Sequence, residues 1–398
     1  MLFQMIRKLA PTVVASIIAL MLTSTAYGAE NTEQKLKRLE AEMQELREQI
    51  SATADKVEAA PTSSKYTGGL GNQRTHISGY GELHYNNLES DDGSKTKDEM
   101  DFHRFVLEFG HEFNETTRFI SEVELEHSIA GEGKKGEIEL EQAYIQHDFN
   151  KNLSGSAGVM LIPVGLINET HEPPNFYGVE RNPVEKNIIP ATWWAGGVAL
   201  SGKAKNGFSY DLMVHEGLKI KDDGQFKIRG GRQKTAKASA KDFAVTGRIK
   251  YTGFSGVELS LTVQHQSDYM QGAANGGSAN LVETHVAVNK GPLSVKALYA
   301  NWSLDGDAAA ASNKDKQDGA YIEAGYKITP KVGVFARHSI WDNGGIGDTK
   351  MKQTDVGVSY WLNKHAVLKA DIQSQSAGDS LSQSKAFDGF NLGVGYQF

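Results

Sequence analysis

The chain ends with the stretch Phe390-Asn-Leu-Gly-Val-Gly-Tyr-Gln-Phe398, in which every second residue is apolar or aromatic. Successive side chains of a β-strand point to opposite faces, so this period of two predicts a strand with one apolar face. An exposed edge strand of this kind would aggregate in water, whereas a strand that closes a barrel in lipid leaves no free edge. The stretch therefore favours a transmembrane barrel over a soluble β-sandwich.

The same alternation recurs along the chain from His76, which predicts an all-β protein, a transmembrane antiparallel β-barrel of about 16 strands. An even strand number is typical of bacterial single-chain barrels. We predict strands at 75–86, 100–113, 117–128, 137–148, 153–162, 191–202, 207–215, 242–251, 255–266, 281–289, 292–302, 319–328, 331–340, 353–362, 365–375 and 386–398.

Short turns alternate with long polar loops between these strands. Transmembrane barrels have this asymmetry, with short periplasmic turns and long outer loops, and a soluble sandwich gives no reason for it. The predicted long loops are 87–99, 129–136, 163–190, 216–241, 267–280, 303–318, 341–352 and 376–385.

Composition excludes several classes of protein. The chain has no cysteine, which removes disulfide, iron–sulfur and thiol chemistry. Its formal net charge of −7 argues against a nucleic-acid partner. Mean hydropathy is −0.43, and no segment after the N-terminus approaches a transmembrane helix in length, so a helical membrane protein is excluded.

The N-terminal residues predict export. Residues 1–28 combine the basic pair Arg7 and Lys8 with a short apolar run and a small-residue cleavage site, as in a signal peptide. Residues 29–58 carry a heptad pattern, which we interpret as a helical coiled coil that self-associates; a solvated tethering helix is the alternative. Residues 59–74 are a predicted linker, and 75–398 form the barrel domain.

Charged residues of the strands fall on the face opposite the apolar one, so we expect them to line the lumen. An acidic wall would form if the third and fourth strands pair, with either lumen arginines or a cation such as calcium as its counter-charge. In the fourth strand Ala143 and Ile145 share the parity of the glutamates, which a bulge or a subunit contact would explain. Aromatic residues near strand ends predict girdles: Trp194, Tyr251, Tyr326 and Tyr360. The expected lining residues of the strands are Arg104, Glu108, Glu122, Glu124, Arg248, Lys250, Arg337 and Lys369, and the acidic wall adds Glu126, Glu137, Glu139 and Glu141.

The loop 163–190 is the candidate constriction. Its five prolines restrict the backbone, and its apolar and aromatic residues would be poorly solvated outside the barrel. His171-Glu172 lacks the HExxH spacing of a metalloprotease, and neither a nucleotide fingerprint nor a nucleophile elbow is recognisable, so we predict no enzyme, no metal site and no cofactor. The expected constriction residues are Glu169, His171, Glu172, Glu180, Arg181, Glu185 and Lys186.

The chain resembles the phosphate-selective porin O and P family over about residues 75 to 398. The resemblance rests on the loop 163–190, the following Ala191-Thr-Trp-Trp-Ala-Gly-Gly197, the strand number, the signal peptide and the terminal Phe398. The resemblance implies that the third outer loop folds into the barrel and sets the constriction, and that three barrels form a homotrimer. Phosphate-selective members line the pore with many arginines and lysines, whereas the predicted lumen here has more carboxylates than bases. That excess predicts weak ion preference with a lean toward cations, which a basic outer loop could reverse.

The sequence thus predicts an outer-membrane porin for passive diffusion of small hydrophilic solutes or ions, with anions such as phosphate among them. The alternative is a non-conducting barrel that tethers the envelope or adheres through its coiled coil. The basic loop 216–241 could gather anions at the pore mouth or bind the phosphates of lipopolysaccharide. Outer-membrane lipid is the other expected partner, at the outer face of the barrel.

Overall fold

The computed structural model describes residues 74–274 and 276–398. The predicted signal peptide and coiled coil lie outside the described residues, as does the predicted linker up to residue 73. Among the residues described, no helix has the length and apolarity needed to cross a lipid bilayer.

The described chain forms a closed barrel of sixteen antiparallel strands, in which each strand pairs with its neighbours in sequence and β1 pairs with β16. Two short helices, α1 (Val184–Asn187) and α2 (Asp307–Ala311), lie in connections between strands. The prediction of an all-β barrel is confirmed. The strands are β1 (Arg74–Ser90), β2 (Thr96–Glu112), β3 (Thr117–Glu126), β4 (Ile138–Asn150), β5 (Leu153–Leu161), β6 (Trp194–Lys203), β7 (Phe208–His215), β8 (Ala244–Tyr251), β9 (Val257–Gln266), β10 (Ala279–Lys290), β11 (Leu293–Leu304), β12 (Lys316–Lys327), β13 (Val332–Asp342), β14 (Lys350–Asn363), β15 (Ala366–Ala377) and β16 (Phe387–Gln397).

The last residue completes the closure. The Phe398 backbone N–H donates to the Gly79 carbonyl at 2.8 Å, and the Gly79 N–H donates to the Phe398 carbonyl at 3.0 Å. The terminal strand therefore has hydrogen-bonded neighbours on both sides, as a strand in lipid requires.

The two faces of the strands differ as the alternation predicts. On β9, Leu259, Leu261 and Val263 are 42%, 48% and 47% exposed on the outer face, whereas Thr262 and Gln264 are buried on the inner face. Water contact would make this apolar surface unfavourable at about 25 cal/mol per Å², so the outer face suits the hydrocarbon of a membrane.

The first outer connection differs from the prediction. β1 and β2 extend to Ser90 and Thr96, so residues 91–95 form a tight hairpin where we expected the loop 87–99. The Ser90 N–H donates to the Lys95 carbonyl at 2.9 Å, and Gly93 adopts the left-handed φ of 69° that the turn needs. The side chains here are mostly polar and show no apolar alternation, yet the hydrogen-bonded ladder of β1 and β2 continues through them. A backbone ladder can extend into water beyond the apolar zone of the barrel.

Two β-bulges add polar residues to the inner face. The β3–β4 register shifts between Glu122 and Val123, which leaves Glu141 as an extra residue of β4. Before the bulge Glu139 faces inward, and after it Ile145 points outward with 41% exposure. The bulge thus explains why Ala143 and Ile145 share the parity of the glutamates. A second shift, between Glu82 and Leu83 of β1, leaves His103 as the extra residue of β2.

Candidate functional site

The connection between β5 and β6, residues 162–193, lies against the inner wall of the barrel. Its apolar end buries Ile162, Ile188 and Ile189 completely, in one cluster with Trp302 and Trp341 of the wall. The Trp302 indole N–H donates to the Ile188 carbonyl at 2.9 Å, which satisfies a buried backbone group of the loop. Burial of these side chains holds this end of the loop inside the barrel.

Residues 176–180 of the loop are held by inward side chains of β14 and β15. Asp371 accepts from the Val179 N–H at 2.7 Å, and Lys369 donates to the Gly178 carbonyl at 2.9 Å. Lys369 also lies 3.6 Å from the centroid of the Phe176 ring, a cation–π contact. Two hydrogen bonds and a cation–π contact to the wall therefore fix this irregular segment.

The opposite side of the loop contacts the acidic wall. Arg104, buried on β2, donates to Glu82 at 2.6 Å and to the His171 carbonyl at 2.6 Å. The His171 ring lies 3.4 Å from Glu122 and 3.7 Å from Glu141. Burial alone would lower the pKa of His171, but the hydrogen bond and charge of Glu122 outweigh it and raise that pKa above its ordinary value.

The acidic wall itself forms as the pairing of β3 and β4 predicts. Glu124 and Glu139 are direct cross-strand partners, and both are buried. Glu122 accepts hydrogen bonds from Tyr80 at 2.6 Å and from Gln142 at 2.5 Å. Like charges this close need compensation, and Arg104 provides part of it.

The predicted loop residues divide into scaffold and solvent-facing groups. Glu185 is completely buried and accepts from the Ile167 N–H at 2.7 Å and from Tyr321 at 2.8 Å. Burial raises the pKa of Glu185, and the side chain ties the loop to itself and to the wall. Glu169 forms an ion pair with Arg248, and Glu172 accepts from Asn175 at 2.7 Å.

Glu180, Arg181 and Lys186 line a cavity of about 620 Å³ on the side of the long loops. Glu180 accepts from Asn86 at 3.1 Å and lies 3.1 Å from the His84 ring. Arg181 donates to Thr192 at 2.8 Å, and Lys186 is exposed.

Among the other predicted lining cations, Arg248, Arg337 and Lys369 touch the loop and Lys250 does not. Besides the contacts of Arg248 and Lys369, Arg337 donates to the Glu180 carbonyl at 3.4 Å and to Asp355 at 2.9 Å. Lys250 differs, because it pairs with Glu258 of β9 at 3.4 Å. Glu108 accepts from Ser78 at 2.5 Å on the wall.

Three cations of the basic loop 216–241 contact the loop 162–193 or the acidic wall, which was not predicted. Arg229 and Arg232 donate to the carbonyls of Ala191 and Pro190, at 2.5 and 3.1 Å. Lys234 pairs with Glu137 at 3.3 Å and also with Glu139. These side chains face the acidic wall across a cavity of about 100 Å³ instead of the outside. The acidic wall contains more carboxylates than neighbouring cations in the predicted strands. That excess was the one signal in the sequence that further cations must face it.

Trp194 also differs from its prediction as a girdle residue. It is 2% exposed, and its ring faces Arg232 and Lys234, whose charged groups lie 5.9 and 5.5 Å from the ring centroid. Tyr326 and Tyr360 are exposed on the outer face, at 49% and 41%.

A closed sixteen-stranded barrel with an apolar outer face, a charged inner face and an internal loop defines a channel-type protein of the outer membrane. The sequence signature of the phosphate-selective porin O and P family matches residues 78–365, and the chain belongs to this family. The family assignment makes the protein an outer-membrane porin.

Solved structures share the fold, and one curated relative shares sequence with part of the chain. The outer-membrane channel DcaP of Acinetobacter baumannii shares the fold with a TM-score of 0.59 at 15% identity, covering 85% of this chain and 100% of that one. Salmonella typhi OmpF, solved with daunomycin, gives a TM-score of 0.56 at 14% identity over 81% of this chain and 97% of that one. An uncharacterized protein of Aquifex aeolicus is 37% identical over 210 residues, and the match spans 52% of this chain and 46% of the relative.

The geometry predicts that Arg104 stabilises the folded barrel. Arg104→Met should lower the free energy of unfolding by about 3–5 kcal/mol, because it leaves buried carboxylates without their counter-charge. The matched variant Arg118→Met removes the partly exposed pair with Asp148 and should cost about 0–1 kcal/mol. Denaturant titration in lipid vesicles measures both. The difference should shrink at acid pH, where the orphaned carboxylates protonate, and equal costs at neutral pH would contradict the role of Arg104.

Proposed function

We propose that the protein forms a water-filled channel for passive diffusion of small hydrophilic anions, with residues 163–190 as the constriction. The observation that carries this proposal is that buried carboxylates of the wall are paired with cations inside the barrel, whereas the charged side chains that face water in the cavity on the side of the long loops are mainly cations. Glu82, Glu122 and Glu141 are buried and lie within reach of Arg104 or His171. A charge compensated within the wall contributes little field at the pore axis.

The cavity of about 620 Å³ on the side of the long loops, which we call the outer cavity, has a basic lining toward solvent. A single carboxylate, Glu180, faces it among the described residues, and it lies beside His84. Clefts lined by one sign of charge focus the field and raise the local concentration of the opposite ion. The cavity therefore favours anions, although the total count of lumen charges favours cations. Its cations are Lys97, Arg181, Lys186, Lys227, Arg229, Lys314 and Lys385.

Charge reversal at this cavity should change ion selectivity. Wild-type channels in a salt gradient should give a reversal potential on the anion side, and Lys227→Glu with Lys385→Glu should move it toward the cation side. The matched control is Lys350→Glu with Lys352→Glu. It makes the same charge change on the outward face of β14, away from the cavity. Cation selectivity of the wild type, or equal shifts in both double variants, would contradict the proposal.

The constriction is proposed because the loop contacts strands on nearly opposite sides of the barrel: Glu169 pairs with Arg248 of β8, and the Val179 N–H donates to Asp371 of β15. Its ends lie close together, since the Glu185 carboxylate of α1 accepts from the Ile167 N–H. A short Gly-Ser linker can therefore replace residues 168–186 without pulling the barrel apart.

This replacement should increase the single-channel conductance, because it removes the segment that crosses the lumen. Planar-bilayer recording measures the conductance, and the electrophoretic mobility of unheated protein reports whether the barrel has folded. Unchanged conductance in a folded replacement variant would show that the loop does not limit the current.

We further propose that residues 1–28 are removed on export, that residues 29–58 form a coiled coil, and that three chains assemble. Support for the assembly comes from the fold, since the structurally similar Vibrio cholerae OmpT was solved in a trimer form, with a TM-score of 0.53 at 11% identity over 82% of this chain and 99% of that one.

Native mass spectrometry of protein extracted from the outer membrane should give a trimer of chains that begin at Ala29. A monomer that persists at low detergent concentration would contradict the assembly, and a chain that retains Met1 would contradict the cleavage.

A further inference from the structure

Two histidines and an aspartate converge on the inner wall at the long-loop end of β2 and β3. The Asp101 carboxylate lies 2.8 and 2.9 Å from Nδ1 of His127 and 3.3 Å from Nδ1 of His103. One ligand atom from each residue can be chosen so that all three lie within 4.8 Å of one another. The function described above does not use this group, which we call the His-Asp cluster.

The fold builds the His-Asp cluster with two local irregularities. The bulge in β2 makes His103 an extra residue. His103 and its neighbour Arg104 therefore both lie on the inner face, together with Asp101. His127 follows β3 with a left-handed φ of 52°, and its N–H donates to the His103 carbonyl at 3.2 Å. Non-glycine residues avoid this φ, so a specific arrangement holds His127 over β2.

The distances fit a small divalent metal ion. Ligands at about 2.0–2.1 Å from a tetrahedral zinc ion lie about 3.4 Å from each other. The Asp101 oxygens lie 2.8 Å from Nδ1 of His127 and 3.3 Å from Nδ1 of His103, and all three ligand atoms lie within 4.8 Å of one another. The side chains of Asp101, His103 and His127 are 25%, 36% and 34% exposed, so a hydrated ion can reach them from the lumen. Three protein ligands would leave a fourth position for water.

The donor set selects among metals. Two imidazoles with one carboxylate suit zinc, copper, nickel or cobalt, whereas calcium and magnesium prefer all-oxygen sites. The nearby group of Glu126, Glu137 and Glu139 offers only oxygens, and Lys234 already pairs with two of them. Among the described contacts of its three side chains, the His-Asp cluster has no lysine or arginine partner.

We propose that Asp101, His103 and His127 bind a divalent transition-metal ion such as Zn²⁺ at the outer part of the lumen wall. The His84 ring stacks on the His103 ring at 4.8 Å and contacts Glu180 of the constriction loop. A bound ion therefore adds positive charge next to this loop. The effect of that charge on current rests on the proposed function, whereas binding itself does not.

Binding is tested on the full-length porin in detergent, purified without a polyhistidine tag. Isothermal titration with Zn²⁺ should show a single site per protomer, and Co²⁺ should give the visible absorption bands of a four-coordinate ion. His103→Ala with His127→Ala should weaken the affinity by about tenfold or more. The matched control, His265→Ala with His338→Ala, removes two exposed histidines whose ring nitrogens contact Asn280, Ser267 and Thr354 and no carboxylate, and it should bind as the wild type does.

Absence of Zn²⁺ binding to the wild type, or equal binding by the double variant, would overturn the proposal. If the double variant does not fold, Asp101→Asn decides, because it keeps a hydrogen-bonding side chain and loses the charged ligand. Excess Ca²⁺ should not displace Zn²⁺, and displacement would place the ion on the glutamates instead. Bilayer currents with and without Zn²⁺ then test the electrical effect separately, so that a silent channel leaves the binding result intact.

Discussion

The structure depends on the rule that no backbone N–H or C=O can remain unpaired in hydrocarbon. A sheet meets this rule only by closing, which the pairing of β1 with β16 and the two hydrogen bonds between Gly79 and Phe398 achieve. Closure divides every strand into a face for lipid and a face for the lumen. At the depth of the hydrocarbon, charged side chains are thereby favoured on the inner face, where they must find partners inside the cylinder or in the loops that enter it.

This confinement explains why the loop 162–193 has two different attachments. Its apolar end packs on tryptophans of the wall, where the hydrophobic effect favours burial. Its polar part is held by Arg104 of β2 and by Lys369 and Asp371 of β15. Breaking a buried pair leaves an uncompensated charge, so these contacts specify one position of the loop. The cations of the outer cavity are among the charges left facing water.

The alternation of apolar residues was sufficient to predict the sixteen strands, their faces and the inward position of residues such as Arg248. It could not predict the bulges, because one inserted residue reverses which positions face the lumen. The conflict at Ala143 and Ile145 indicated the bulge in β4. No pattern indicated the bulge at His103 in β2. The contacts of Lys234 with Glu137 and Glu139 join residues 97 and 95 positions apart, beyond any local pattern. The loop 216–241 was therefore placed outside, although three of its cations face the acidic wall.

The glycines of the inner face show that wall and loop are specified together. A Cβ at Gly325 would lie 2.2 Å from the Tyr177 ring, and one at Gly395 would lie 2.3 Å from Pro173. Both distances are far inside van der Waals contact, so the wall must lack side chains where the loop is seated. Gly395 belongs to the same terminal strand whose alternate residues, such as Val394, face outward with 43% exposure. One short stretch thus carries two requirements, an apolar surface for lipid and a smooth seat for the loop.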